Sequence, residues 1–240
     1  MTVNRRRVRA VFSKELREYR HNGNIVYAMA ILPLVFLIQP LIQVFTLPAT
    51  ASVPLRHEHT LLYMLAVPVL VPATLAAYAV VGERLQGTLE PVLSTPVRRE
   101  ELLLGKALAA FVPSVVVAYV VFGFYIAVVE LFAHPGVASA LIRAPDLIAQ
   151  LVFTPLLATW SIWVGIAVSA RSGDPRTAGQ LSILVSLPTV AVTSLVAFNV
   201  IPATRGVAFG LGAALLVLIR LGGRFASALF DRERLITSTK

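Results

Sequence analysis

The sequence predicts an all-α membrane protein with six transmembrane helices and both termini in the cytoplasm, and three observations carry that expectation. The 240 residues are 57% hydrophobic and only 14% charged, with a mean hydropathy of +0.80, where a soluble domain carries roughly 25% charged residues. Long apolar runs recur, each exceeding the ~18 residues that read as a helix crossing a bilayer. Finally, 18 of the 21 Lys and Arg residues fall at the two ends and in alternate connections. The positive-inside rule assigns those segments to the cytoplasm.

The leader precedes the first apolar run. Val8, Val11, Phe12, Leu16 and Tyr19 fall on one helical face, with Arg9, Lys14, Arg17 and Glu18 largely elsewhere. This is a basic amphipathic helix leading into the first span. It suits an interface position on anionic lipid, and the same helix can also touch a cytoplasmic partner.

Five long spans follow at 25–47, 60–82, 107–133, 147–170 and 178–204, of which only the third contains an ionisable residue, Glu130. A sixth run, 206–219, has 14 residues between Arg205 and Arg220. It is short for a core of about 30 Å, a deficit that snorkelling arginines or local thinning can absorb. A five-span reading would export a tail with five basic residues, against the charge rule. The chain therefore reads as one domain over 1–240: a cytoplasmic amphipathic helix in 1–24, a six-span bundle in 25–221 and a cytoplasmic tail in 222–240. Topology accounts for the net charge of +9 without a nucleic-acid partner. Ala49-Thr50-Ala51 resembles a signal-peptidase site, but the 23-residue block before it is longer than a signal peptide's 7–15 apolar residues. There is no cysteine, hence no thiol chemistry.

The segment 83–106 is the one long polar stretch between apolar blocks. Thr88 suits an N-cap for a short helix on which Leu89, Val92 and Leu93 form an apolar patch, with Glu90 near the positive helix end. Thr95-Pro96 is a second start signal, followed by Glu100 and Glu101 in a helix that can run straight into the third span. The spacing predicts helix, turn, helix. Its apolar patch either folds back onto the membrane or the bundle, or is covered by a partner.

Several chemistries lack support. No span carries an ionisable residue near its middle, where an ion-driven carrier usually places one. His57-Glu58-His59 offers two ligands only if extended, and a solvated loop is the favoured reading. No serine or cysteine is paired with a histidine in a nucleophile motif, so an intramembrane hydrolase has little support. The phosphate-binding loop pattern is missing, since Gly105-Lys106 is followed by Ala107. Any ATP that drives this chain is hydrolysed elsewhere. Pro33, Pro40, Pro68, Pro72, Pro113, Pro155 and Pro188 can kink the spans. Trp160 and Trp163 lie mid-span, where packing is the favoured role, and Gly206-x-x-x-Gly210 with Gly212 permits close helix approach in the sixth span.

Glu83-Arg84, Gly87-Thr88-Leu89-Glu90, Leu93, Ser94-Thr95-Pro96-Val97, Arg99, Glu101-Leu102 and Leu104-Gly105-Lys106 together resemble the signature region of ABC-2 type transporter permeases. These are membrane subunits of bacterial ATP-binding cassette exporters. The plan of basic leader, six spans and short basic tail is similar to that family throughout. The resemblance implies that the loop after the second span is a coupling helix docking on a separate cytoplasmic ATPase subunit through Glu83, Gly87, Thr88, Leu89, Glu90, Val92, Leu93, Thr95 and Pro96. It makes the face of Val8, Val11, Phe12, Leu16 and Tyr19 that of an elbow helix. It implies a second permease copy, most simply an identical one, in the bacterial cell membrane. It also implies no enzymatic activity and no cofactor on this chain, ATP and Mg belonging to the partner. One departure is the brief segment 199–205 between the last two spans, too small for an elaborate outer gate. The runner-up is an ATP-independent carrier or a structural subunit of a membrane complex.

Overall fold

The computed structural model describes residues 4–46, 59–85, 87 and 97–229. Every regular element among them is helical. Helix α1 (Arg5–His21) precedes α2 (Gly23–Thr46). A short α3 (Thr60–Tyr63) passes through a 3₁₀ turn, Met64–Ala66, into α4 (Val67–Leu85). Then come α5 (Arg99–Phe132), α6 (Pro135–Leu141), α7 (Ala144–Arg171), α8 (Pro175–Ala197) and α9 (Arg205–Leu229). Among the described residues six stretches are long and apolar enough to cross a membrane: Ile25–Thr46, Thr60–Glu83, Glu100–Phe132, Ala144–Arg171, Pro175–Ala197 and Arg205–Leu229.

The second span is the axis of the bundle. In its most apolar stretch 94% of the residues are buried, against 24% in the first span and 6% in the sixth. It packs on α7, α8, α5 and α2. Small residues permit this: an added Cβ on Gly165 of α7 would lie 2.6 Å from Ala76 Cβ and 2.8 Å from the Ala73 carbonyl oxygen. Without a side chain at Gly165 the two backbones approach closely. Ser169 extends the contact, its Oγ accepting from the amides of Val80 and Val81 at 3.0 and 3.1 Å. The 3₁₀ turn before α4 has a local cause. Pro68 lacks the N–H that would bond the Met64 carbonyl, so the α ladder cannot run unbroken through this point.

Three sequence expectations change at the ends of helices. The helix entering the third span begins at Arg99, with Val97 and Arg98 outside it, so Thr95-Pro96 is not its start. Its cap is supplied from within instead, Glu101 accepting from the Arg98 amide at 3.0 Å, the returning half of a capping box. The last helix does not stop at the 14 residues between Arg205 and Arg220 but runs 25 residues to Leu229, about 37 Å at 1.5 Å per residue. Its close approach is also displaced. Among the described residues no neighbouring helix stands at the Cα hydrogens of Gly206 and Gly210, whereas a Cβ on Gly222 would meet Trp160 and Trp163 at 3.2 Å. The two tryptophans thus pack as expected, against Gly222-Gly223 rather than the GxxxG pair, and Trp160 Nε1 donates to Thr189 Oγ1 at 3.2 Å.

Candidate functional site

The richest polar chemistry lies where α1 meets the last turn of α4 and the first turns of α5. The expected apolar face of α1 is present: Val8 and Tyr19 are buried, Val11, Phe12 and Leu16 half-buried. Val11, Phe12 and Tyr19 join a core containing Leu102, Leu103 and Ala107 of α5. Gly105 makes the seat, since a Cβ there would fall 2.7 Å from Val11 Cβ.

Inside this apolar seam sits a charge cluster that the periodicity conceals. Glu15, Glu83 and Lys106 are each at most 3% exposed. Lys106 Nζ donates to Glu15 Oε1 at 2.6 Å and lies 3.0 Å from Glu83 Oε2. Lys14 Nζ donates to Glu83 Oε1 at 2.5 Å and reaches Glu18 Oε1 at 3.3 Å. Burial pushes the Glu15 carboxyl above the ordinary carboxylate range, the Glu83 charge adding to it and the Lys106 ammonium pulling against it. Burial works against the Lys14 charge, but the hydrogen bond to Glu83 and the surrounding carboxylates outweigh it and hold that ammonium above its usual range. Burial, helped by Glu15, Glu18 and Glu83, pushes the Tyr19 phenol well up.

A second clasp lies toward the N-terminus. Glu101 Oε1 accepts from the Asn4 amide at 2.9 Å, and Oε2 accepts from Arg7 at 3.5 Å as well as from Arg98. Both stems of the connection between α4 and α5 are therefore tied to α1: Glu83 on one side, Glu101 and Lys106 on the other. Gly87 continues the first stem in a turn with φ +67°, a conformation that favours glycine. Of the other expected docking residues, Thr88, Leu89, Glu90, Val92, Leu93, Thr95 and Pro96 lie outside the described residues. The sequence reading missed Glu15 and Lys106. A glutamate in mid-stripe of an amphipathic face, with a lysine between Leu102-Leu103-Leu104 and the apolar span that follows, was the signal available.

At the opposite end of the bundle, His59 is not a solvated loop residue. Its Nδ1 lies 2.7 Å from Asp146 Oδ1 and 3.1 Å from the Arg143 guanidinium, while its amide donates to the Ala197 carbonyl at 2.8 Å. Arg143 also donates to Asp146, at 3.1 Å. This knot joins the starts of α3 and α7 to the end of α8. His57 and Glu58 lie outside the described residues, and among the described residues no three His, Asp or Glu side chains converge as metal ligands.

Six apolar helices, the second enclosed by the others, define a multi-pass membrane protein. A scan of protein families matches residues 9–221 to the family described as ABC-2 family transporter protein, and the chain belongs to that family. No curated protein matches it. Membership makes it a membrane component of a transporter, of a kind that generally is not itself catalytic and that works with an ABC ATPase.

Proposed function

We propose that this chain is the permease subunit of an ATP-driven exporter in the bacterial cell membrane, paired with a second copy and served by a separate cytoplasmic ATPase. The termini and the 86–96 loop face the cytoplasm, as the charge bias favours. The loop is the coupling segment, with Leu89, Val92 and Leu93 as its docking face. Glu83 is an anchor behind that face rather than part of it.

The observation that carries this reading is the ion cluster at the loop's base. A lone loop between two helices would absorb a push by bending. Here Glu83 and Lys106 bond each other across the stems, and Lys14 and Glu15 bond both to α1. Movement of the loop is passed to α1, α4 and α5 as one body. Because α4 is the axis on which α7 and α8 pack, a shift of its end is felt through the bundle. ATP binding closes the partner's nucleotide sites and moves the loops of both permeases. The coupling free energy comes from contacts that differ between the two states of the transporter. ATP and Mg stay on the partner subunit.

A pull-down in mild detergent tests this. Tagged wild-type chain expressed from its own locus is expected to recover a subunit with a phosphate-binding loop, and Leu89→Asp/Leu93→Asp is expected to lose it while keeping its elution volume. Recovery of no ATPase under any nucleotide condition would point instead to an ATP-independent carrier, with ion-gradient transport assays as the next step.

A further inference from the structure

We propose that the groove between α1 and the start of α5 is a binding site for one anionic phospholipid. It is an open groove of about 550 Å³, lined by Arg5, Val8, Arg9 and Phe12 of α1 and by Leu104, Leu108 and Val112 of α5. The proposal rests on this end of the bundle facing the inner leaflet. It does not depend on an ATPase partner.

Two features of the groove select the ligand. The α5 wall is a stripe at positions 104, 108 and 112, i, i+4 and i+8 on one helix face. The stripe descends about 12 Å from the polar end into the apolar part of the span, the course an acyl chain takes. Leu104 and Val112 are 40% and 41% exposed, so the chain has open apolar surface to cover. Arg5 and Arg9, on the α1 side of the groove, stand one turn apart and are both exposed. Neither forms an ion pair among the described residues, in contrast to Arg7, which is held by Glu101. Two arginines without an ion pair beside an apolar groove match a phosphodiester headgroup with no compensating amine. A zwitterionic lipid would bring its own cation to the same place and gain less. A soluble phosphate compound would leave the apolar wall uncovered. A basic pocket between helices at the cytoplasmic leaflet is the type of site that binds acidic headgroups.

The same lipid would wedge α1 against α5 beside the Gly105–Val11 contact, bracing the helix that carries Lys14 and Glu15.

The test uses the full chain purified in detergent, incubated with equal amounts of phosphatidylglycerol and phosphatidylcholine, and weighed by native mass spectrometry. One phosphatidylglycerol per chain is expected, retained at least about tenfold over phosphatidylcholine. Arg5→Gln/Arg9→Gln should abolish that preference, and Leu108→Trp, which fills the slot without changing charge, should abolish retention. Should Leu108→Trp misfold, Val112→Trp serves the same purpose. Arg17→Gln/Arg20→Gln removes the same charge from elsewhere on α1 and should leave retention unchanged. The proposal is overturned if that control loses lipid equally, since the attraction is then diffuse. Equal retention of phosphatidylcholine, or retention undiminished with the slot filled, overturns it too.

Discussion

Replacing Lys106 by Met is expected to cost about 3–5 kcal/mol of stability, the usual effect of removing one partner from a buried ion pair. The reason is an asymmetry in the cluster. Lys106, fully buried, lies 2.6 Å from Glu15 and 3.0 Å from Glu83, whereas half-exposed Lys14 is close to Glu83 but 3.8 Å from Glu15. Loss of Lys106 therefore leaves two buried carboxylates with Lys14 as their remaining charged partner in the cluster. Glu15→Gln removes one charge but leaves Lys106 on Glu83, so its effect should be much smaller. Lys106→Met/Glu15→Gln should recover much of what the single change loses. The readout is the midpoint of thermal aggregation followed by size-exclusion fluorescence.

The pH dependence of the Lys106→Met variant has a definite sign. Burial already holds the Glu15 pKa above its ordinary 4.5 in the folded chain, and removing Lys106 takes away the main opposing influence. A carboxyl with a raised folded pKa favours the fold when protonated. Its contribution is full below the ordinary value and is lost as pH rises through the raised one. Lys106→Met should therefore be more stable at pH 5 than at pH 8, and adding Glu15→Gln should flatten that difference.

Gly165→Val is the second large expected effect. The added Cβ would lie inside contact distance of Ala76 Cβ and the Ala73 carbonyl oxygen, and backbone cannot step aside as a flexible side chain can. Overpacking of this kind costs about 1–3 kcal/mol, with Val at or beyond the upper end because its methyl groups enter the same gap. Gly165→Ala should lose less. Gly210→Ala, with none of the described residues within 4 Å of its added carbon, should be close to neutral. The three variants compared by yield of monodisperse protein separate a packing effect from a general dislike of side chains at membrane glycines.

These two sites also show what the sequence could and could not convey. Spans were legible because a bilayer demands about 20 apolar residues in succession. The face of α1 was legible because one side is wet and the other is not. Which span lies at the centre was not legible. In a membrane both the interior and the lipid surface are apolar, so hydropathy does not separate α4 from α9. The distinguishing mark is size: Ala73 and Ala76 against Gly165, with Ser169 against the backbone of Val80 and Val81. The GxxxG pattern at Gly206 misled for a related reason. Small residues permit close packing only where another helix is brought against them, and in this last helix the neighbours, Trp160 and Trp163, stand beside Gly222-Gly223. Glu83 and Lys106 read only as part of the polar stretch 83–106, Glu83 with the docking face, because sequence spacing carries no hint that α1 folds over them. His59 was misread likewise, its partner Asp146 lying 87 positions away.

The central claim is that a separate ATPase engages the 86–96 loop whose stems are clasped to α1. The chain contains no cysteine, so Leu89→Cys can be labelled uniquely with a short photoreactive group and illuminated in native membranes. The account predicts a cross-link to a protein bearing a phosphate-binding loop, changing in yield between nucleotide-free and ATP-bound conditions. A label at Leu89 that cross-links only to lipid or to its own chain, in every nucleotide condition, would contradict it.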